Sequence, residues 1–229
     1  KKSKGTYQLD QNLFTFNYFD NLNSPKFYYE GKINLRPFFS YINGNTNKLD
    51  LSILFKPNLL LPQLVKTELL NHKNLNFDFN INAKQIKQYP SFINFSLNSK
   101  IKEGLIDIDK TKFSWNNYAD FKITDSLLYV HQNQLTLDGK LLVKVKNYNE
   151  IYKFLQISKS LRPQLNTLEF NFNYNFDQQM ISFNTIKVNG KISNKVHHVL
   201  KKIILKDNKL QNKIYFKNIM KESIAAYVG

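Results

Sequence analysis

Apolar and polar residues alternate through most of this chain, and the alternation is sharpest from Leu168 to Gly190. Leu168, Phe170, Phe172, Tyr174 and Phe176 are separated by Glu169, Asn171, Asn173 and Asn175. A period of two places the aromatics on one face of a β-strand and the amides on the other. Asp177, Gln178 and Gln179 supply a turn, and a return strand follows with Ile181 and Phe183. Ile186, Val188 and Ile192 then continue on the opposite parity. A bulge or bend near Asn184 would restore both sets to one face.

The same rhythm predicts further strands. One spans Gly5 to Phe19, interrupted by Asp10-Gln11-Asn12, and another Lys26 to Leu35, ended by Pro37 and continued by Phe39 to Ile42. Asn43-Gly44-Asn45-Thr46-Asn47 reads as a hairpin turn, because Asn and Gly accept positive φ, with Leu49 to Phe55 as its return strand. Leu75 to Ala83, Ile93 to Ile101, Leu105 to Ile108, Phe113 with Trp115, Phe121 with Ile123, Leu127 to Val130 and Leu135 to Val145 follow, the last bent at Asp138-Gly139. Strands about ten residues apart with polar turns describe an antiparallel meander. Helical spacing interrupts the rhythm near 58–70, where Leu61, Leu64, Val65 and Leu69 recur. It returns at 149–161, with Asn149 as N-cap, and at 193–206, with the stripe Val196, Val199, Leu200, Ile203 and Ile204. Leu210 to Val228 reads as a strand followed by a short helix from Asn218. The expected fold is mainly β with a few short helices. It is one β-rich domain over residues 1–229, built as a curved, twisted open sheet or trough, with a β-sandwich as the alternative.

Composition narrows the functional classes. The 19 Phe and 13 Tyr favour a packed β protein, and with 7 Gly and 6 Pro there are no low-complexity linkers. The net charge is +16, yet 31 of the 33 basic residues are lysine. Nucleic-acid binders rely on arginine for bidentate contacts, and the lysines come with the Asn and Ile that AT-rich codons supply. The charge therefore reads as compositional, with no nucleic-acid partner expected. Lysines on a sheet rim would still attract anionic headgroups. The absence of cysteine removes disulfides and thiol chemistry. No stretch of about 18 apolar residues could form a membrane-spanning helix, and the Lys-Lys-Ser-Lys start suggests a fragment or a processed product.

Catalytic and metal-binding patterns do not emerge. His197 and His198 are adjacent on a helix, cannot chelate one ion together, and read as surface residues. Asp107 and Asp109 share a strand face near Glu103, but no third ligand follows at calcium-loop spacing. There is no nucleophile elbow, phosphate loop or zinc signature, so the chain is read as non-catalytic, without cofactor or metal. The apolar face remains. Either two sheets stack and the aromatics fill a sandwich core, or the sheet curls into a trough that holds acyl chains. Long Phe-rich strands and only three short helices lean towards the trough. Each buried methylene would contribute about 0.8 kcal/mol. A polyanion-binding module would instead gather Lys195, Lys201 and Lys202 with sheet lysines.

Three segments sharpen this reading: Gly31-Lys32-Ile33-Asn34-Leu35-Arg36-Pro37-Phe38; Glu103-Gly104-Leu105-Ile106-Asp107, with Trp115 and Asp125-Ser126 behind it; and Ile186-Lys187-Val188-Asn189-Gly190. Through them, the region from Tyr28 to Gly190 resembles the C-terminal region of the AsmA-like envelope proteins of Gram-negative bacteria. The resemblance implies a periplasmic body attached to the inner membrane by an anchor upstream. It also implies a hydrophobic groove that carries phospholipid in outer-membrane assembly, with envelope proteins as further partners and no catalytic residues. Lipid contact carried over by face falls on Leu75, Phe77, Phe79, Phe95, Leu97, Phe170, Phe172, Tyr174 and Phe176. The family's anchor and most of its long middle region are not in these residues. A β-sandwich scaffold or interaction module of the envelope is the competing class.

Overall fold

The alternation is realised as one sheet of 14 strands in a computed structural model, which describes residues 3–20, 27–51, 60–67, 70, 72–202, 205–206 and 213–228. The strands are β1 (Ser3–Asp10), β2 (Leu13–Asp20), β3 (Phe27–Leu35), β4 (Phe38–Leu49), β5 (Asn76–Ile86), β6 (Phe92–Lys102) and β7 (Leu105–Asp107). After them come β8 (Lys112–Trp115), β9 (Ala119–His131), β10 (Gln134–Val145), β11 (Thr167–Asn175), β12 (Met180–Val188), β13 (Lys191–Ile192) and β14 (Leu205–Lys206). Neighbours in the sheet follow chain order, except that β7 pairs with β9, β8 lies between β6 and β9, and β14 pairs with β12. All pairs are antiparallel but one: β4 runs parallel to β5. The expected mainly β, open, largely antiparallel sheet is therefore the fold of the chain.

Helices occupy the places where the period of two fails, with shorter bounds. They are α1 (Leu60–Lys66), α2 (Tyr148–Leu155), α3 (Asn194–Lys202) and α4 (Lys213–Val228). The expected 149–161 helix stops at Leu155, because Gln156 adopts a left-handed C-cap with φ 59°, and Lys159–Leu161 forms a separate 3-10 turn. Its N-cap is Asn147, whose side chain accepts from the Glu150 amide, and not Asn149. The expected 193–206 helix ends at Lys202, and Leu205–Lys206 pairs with β12 instead. At the C-terminal end a single helix from Lys213 replaces the expected strand and late helix.

Two turn readings are corrected. Asn43-Gly44-Asn45-Thr46-Asn47 lies inside β4, where Gly44 is extended and buried between Tyr29 and Ile81. Pairing on both sides outweighs the local turn preference of Asn and Gly. The return strand expected from Leu49 to Phe55 lies largely outside the described residues. Pro37 does not lie within a continuing strand: the chain reverses at the Arg36–Pro37 cis peptide, and β3 pairs antiparallel with β4. The expected irregularities elsewhere fall in place. Phe172 pairs with Phe183 and Asn171 with Thr185, so Asn184 is the extra residue of a bulge. The register of β9 and β10 likewise shifts across Gly139.

Because the bulges absorb the phase changes, one apolar face runs through the sheet. A single register row reads Leu9, Phe14, Ile33, Ser40, Phe77, Ile101, Ile106, Leu128, Leu137, Tyr174 and Ile181, from β1 to β12. At about 4.8 Å per strand those ten steps span about 48 Å. Cover differs along the row. Ile81, Ala83, Phe95, Leu97, Ile101, Leu135, Leu137, Phe172 and Phe176 form one buried cluster with Val65 of α1. A second cluster joins Ala119, Val143, Ile186 and Val188 to Ile151, Tyr152 and Leu155 of α2, Val196 and Leu200 of α3, and Ile219 and Ile224 of α4. Thus α2, α3 and α4 roof one end of the later strands, while α1 is clipped across β9 and β10.

Candidate functional site

The sequence-expected lipid-contact residues are placed at and around the first cluster. Phe95, Leu97, Phe172 and Phe176 are buried core side chains, while Leu75, Phe77, Phe79 and Tyr174 are half-buried against them. Phe170 is half-buried against the second cluster and packs on Phe183 at 5.5 Å. All nine lie on or beside the apolar face, but four of them face protein rather than an open channel.

The open part of that face is β1 to β3. There Tyr7 is 82% and Leu9 63% exposed, with Phe27 also exposed and Phe14, Phe16, Tyr18, Tyr29 and Ile33 half-buried. Tyr7, Phe14, Phe16, Tyr18, Phe27 and Tyr29 form a connected ring network. Successive centroids lie 6.4 Å (Tyr7–Phe14), 5.6 Å (Phe14–Phe16), 5.9 Å (Phe16–Tyr29), 5.0 Å (Tyr18–Tyr29) and 5.3 Å (Phe27–Tyr29) apart. Such ring pairs stabilise one another by about 0.5–1.5 kcal/mol each. Phe16 reaches its place because Gly31 stands opposite. A Cβ at Gly31 would lie 2.5 Å from Phe16 Cζ and 2.7 Å from the Tyr41 carbonyl oxygen. The floor continues through Ile42 to Phe77 and Phe79, whose rings stack 6.1 Å apart. It is an aromatic floor, exposed at β1 among the described residues and buried by the protein's own side chains from β6 onward.

The pattern of Tyr7, Leu9, Phe14, Phe16 and Tyr18 was legible as a strand face. Its openness was signalled only by the lack of any helical spacing before residue 58. Neighbouring exposed apolar side chains of this kind mark interaction sites.

The covered part of the apolar face is held by a polar clip. Lys66 of α1 donates to Asp177 Oδ1 at 2.5 Å, and the Leu135 amide donates to Asp177 Oδ2 at 2.7 Å. Burial acts to raise the Asp177 carboxyl, but these two bonds and the Lys66 charge outweigh it and hold it below the usual carboxylate range.

The remaining polar candidates have structural partners. Asp109 Oδ1 accepts from the Ser126 amide and hydroxyl, at 2.8 and 2.6 Å, and Ser126 Oγ accepts from the Ile108 amide. Asp107 accepts from the Asp109 amide, and burial is the main reason its carboxyl is pushed up. His197 is half-buried with a ring nitrogen 3.2 Å from the Phe183 carbonyl oxygen, which corrects its reading as a surface residue, while His198 is exposed. Among the described residues no three His, Asp or Glu side chains gather as a metal site, and no helix is long and apolar enough to cross a membrane. No protein-family model, curated protein or solved structure matches this chain.

Proposed function

We propose that the aromatic face of β1 to β5 binds phospholipid acyl chains, as a non-catalytic segment of a lipid-carrying protein of the AsmA-like kind that the sequence resembles. The single observation that supports this is the aromatic floor from Tyr7 to Phe79, exposed at its β1 end among the described residues, on a face whose continuation is buried core. An aromatic surface whose exposed rings make no hydrogen bond among the described residues suits flexible hydrocarbon, which needs area and no directional bonds. On this reading Tyr7, Leu9, Phe14, Phe16, Tyr29 and Ile33 make first contact, Phe77 and Phe79 line the inner end, and the more deeply buried members of the expected set are the trough's wall. The same proposal places the chain in the periplasm on an upstream inner-membrane anchor, working in lipid transport and outer-membrane assembly.

Burial of Phe95, Leu97, Phe172 and Phe176 favours a second reading for the middle of the sheet: a filled scaffold core without ligand. Photocrosslinking separates the two. A benzophenone side chain at Leu9 faces the trough, whereas one at the adjacent Gln8 faces the opposite side. Acyl-chain binding predicts a phospholipid adduct at position 9 and none at position 8. Equal labelling, or none, favours the scaffold.

A further inference from the structure

The opposite, polar face of the sheet carries an arrangement of charge that the apolar trough does not use. Across β8, β9, β10 and β11 one register row reads Lys112, Lys122, Leu142 and Glu169, and the next reads Ser114, Asp120, Lys144 and Thr167. Lys112 and Lys122 therefore stand directly opposite each other, a like-charge placement that costs stability where nothing intervenes. The acids nearby are already engaged. Asp120 Oδ1 is 2.6 Å from Lys146 Nζ and accepts from Ser114 Oγ at 2.7 Å, and Glu169 Oε2 is 3.0 Å from Lys187 Nζ. Among the described residues Lys112, Lys122 and Lys144 make no ion pair, and all three are exposed. They border a concavity of about 720 Å³ with Leu142 among its lining residues. Asn94, at φ 53°, lines it from β6, where the register to β8 shifts between Ile93 and Ser96.

We propose that this concavity binds a phosphate group, with Lys112, Lys122 and Lys144 as its cationic ligands and Leu142 beneath the organic part it is esterified to. Three ammonium groups, Lys144 beside Asp120 and Lys112 and Lys122 in no ion pair among the described residues, supply charge-assisted donors for a phosphate monoester or diester. Bound phosphate also removes the Lys112–Lys122 repulsion. This open concavity has room for one headgroup, and its lining contains no arginine to grip bases or successive phosphates. The site is independent of the aromatic face of β1 to β5, since it lies on β8 to β11 and on the opposite face of the sheet.

The test uses the whole chain and two probes, glycerol 1-phosphate followed by calorimetry and phosphatidylglycerol vesicles followed by flotation. Lys112→Gln with Lys122→Gln is compared with a charge-matched control, Lys191→Gln with Lys195→Gln. Both replaced pairs are exposed, so retained cooperative melting shows that both variants fold. The proposal expects the wild type and the control to bind and the site variant to weaken at least tenfold. Binding of both probes identifies a lipid headgroup as the source, and binding of glycerol 1-phosphate alone identifies a soluble phosphate. No millimolar binding of either probe by the wild type overturns the proposal. So does equal weakening in site variant and control, or tighter binding of a single-stranded oligonucleotide with a steep salt dependence.

Discussion

Removing Asp177 tests how the covered end of the apolar face is held shut. Asp177→Ala deletes the acceptor for Lys66 and for the Leu135 amide in one step. Leu135 is 2% exposed, so its N–H loses a bond to a charged acceptor, about 1.5–3 kcal/mol. The Lys66 side chain is 16% exposed and is left without its carboxylate. That cost lies between about 1 kcal/mol for a surface pair and about 3–5 kcal/mol for breaking a buried one. Relaxation of Lys66 towards water recovers part of it, so a total of about 3 kcal/mol is expected. The pH dependence follows from the depressed carboxyl. A folded-state value below that of the unfolded chain, about 3.9, gives stability that is complete above that value and lost as pH falls through the folded one. The difference between wild type and Asp177→Ala should therefore be largest near pH 7 and shrink towards pH 3. Urea unfolding followed by the fluorescence of Trp115, the single tryptophan, measures it at both pH values. A difference below about 0.5 kcal/mol at pH 7, or one unchanged at pH 3, would refute the clip.

Three further outcomes follow from the packing. Gly31→Ala should cost about 1–3 kcal/mol in urea unfolding by driving a methyl into the Phe16 ring and the Tyr41 carbonyl oxygen, whereas Gly44→Ala, with its nearest neighbour at 3.7 Å, should cost less. Ile186→Ala, at 0% exposure beneath the helical roof, should cost about 2–5 kcal/mol. Tyr152, buried and donating to the Pro163 carbonyl oxygen at 2.8 Å, has its phenol pushed up to about 12, chiefly by burial. Stability should thus be steady below about pH 10 and fall as pH rises from there towards 12, a fall that Tyr152→Phe should reduce in alkaline melts.

Much of the sheet was legible because the side-chain period is local. Alternation identifies strand faces without knowledge of partners, and the parity change at Asn184 could be placed from Ile181, Phe183, Ile186 and Val188 alone. What was not legible depends on distant pairing. The Asn43–Asn47 segment has turn chemistry, yet β3 and β5 hold it extended on both sides. Helix ends moved for a similar reason: Gln156 and Leu205 are decided by a cap and by β12, which apolar spacing does not report. The site shows the same division. The aromatic face could be read from Phe77, Phe95 and Phe172, but which part is covered depends on where α1 to α4 dock. The open section consequently falls on Tyr7 to Tyr29 rather than on the later strands.

Native mass spectrometry of the purified chain, with extraction and identification of bound lipid, tests the proposed acyl-chain trough most directly. The account predicts co-purified phospholipid on the wild type, and its loss from a Phe14→Asp, Phe16→Asp variant that retains a cooperative unfolding transition. A lipid-free, cooperatively folded wild type, or a folded variant that keeps its lipid, would contradict it.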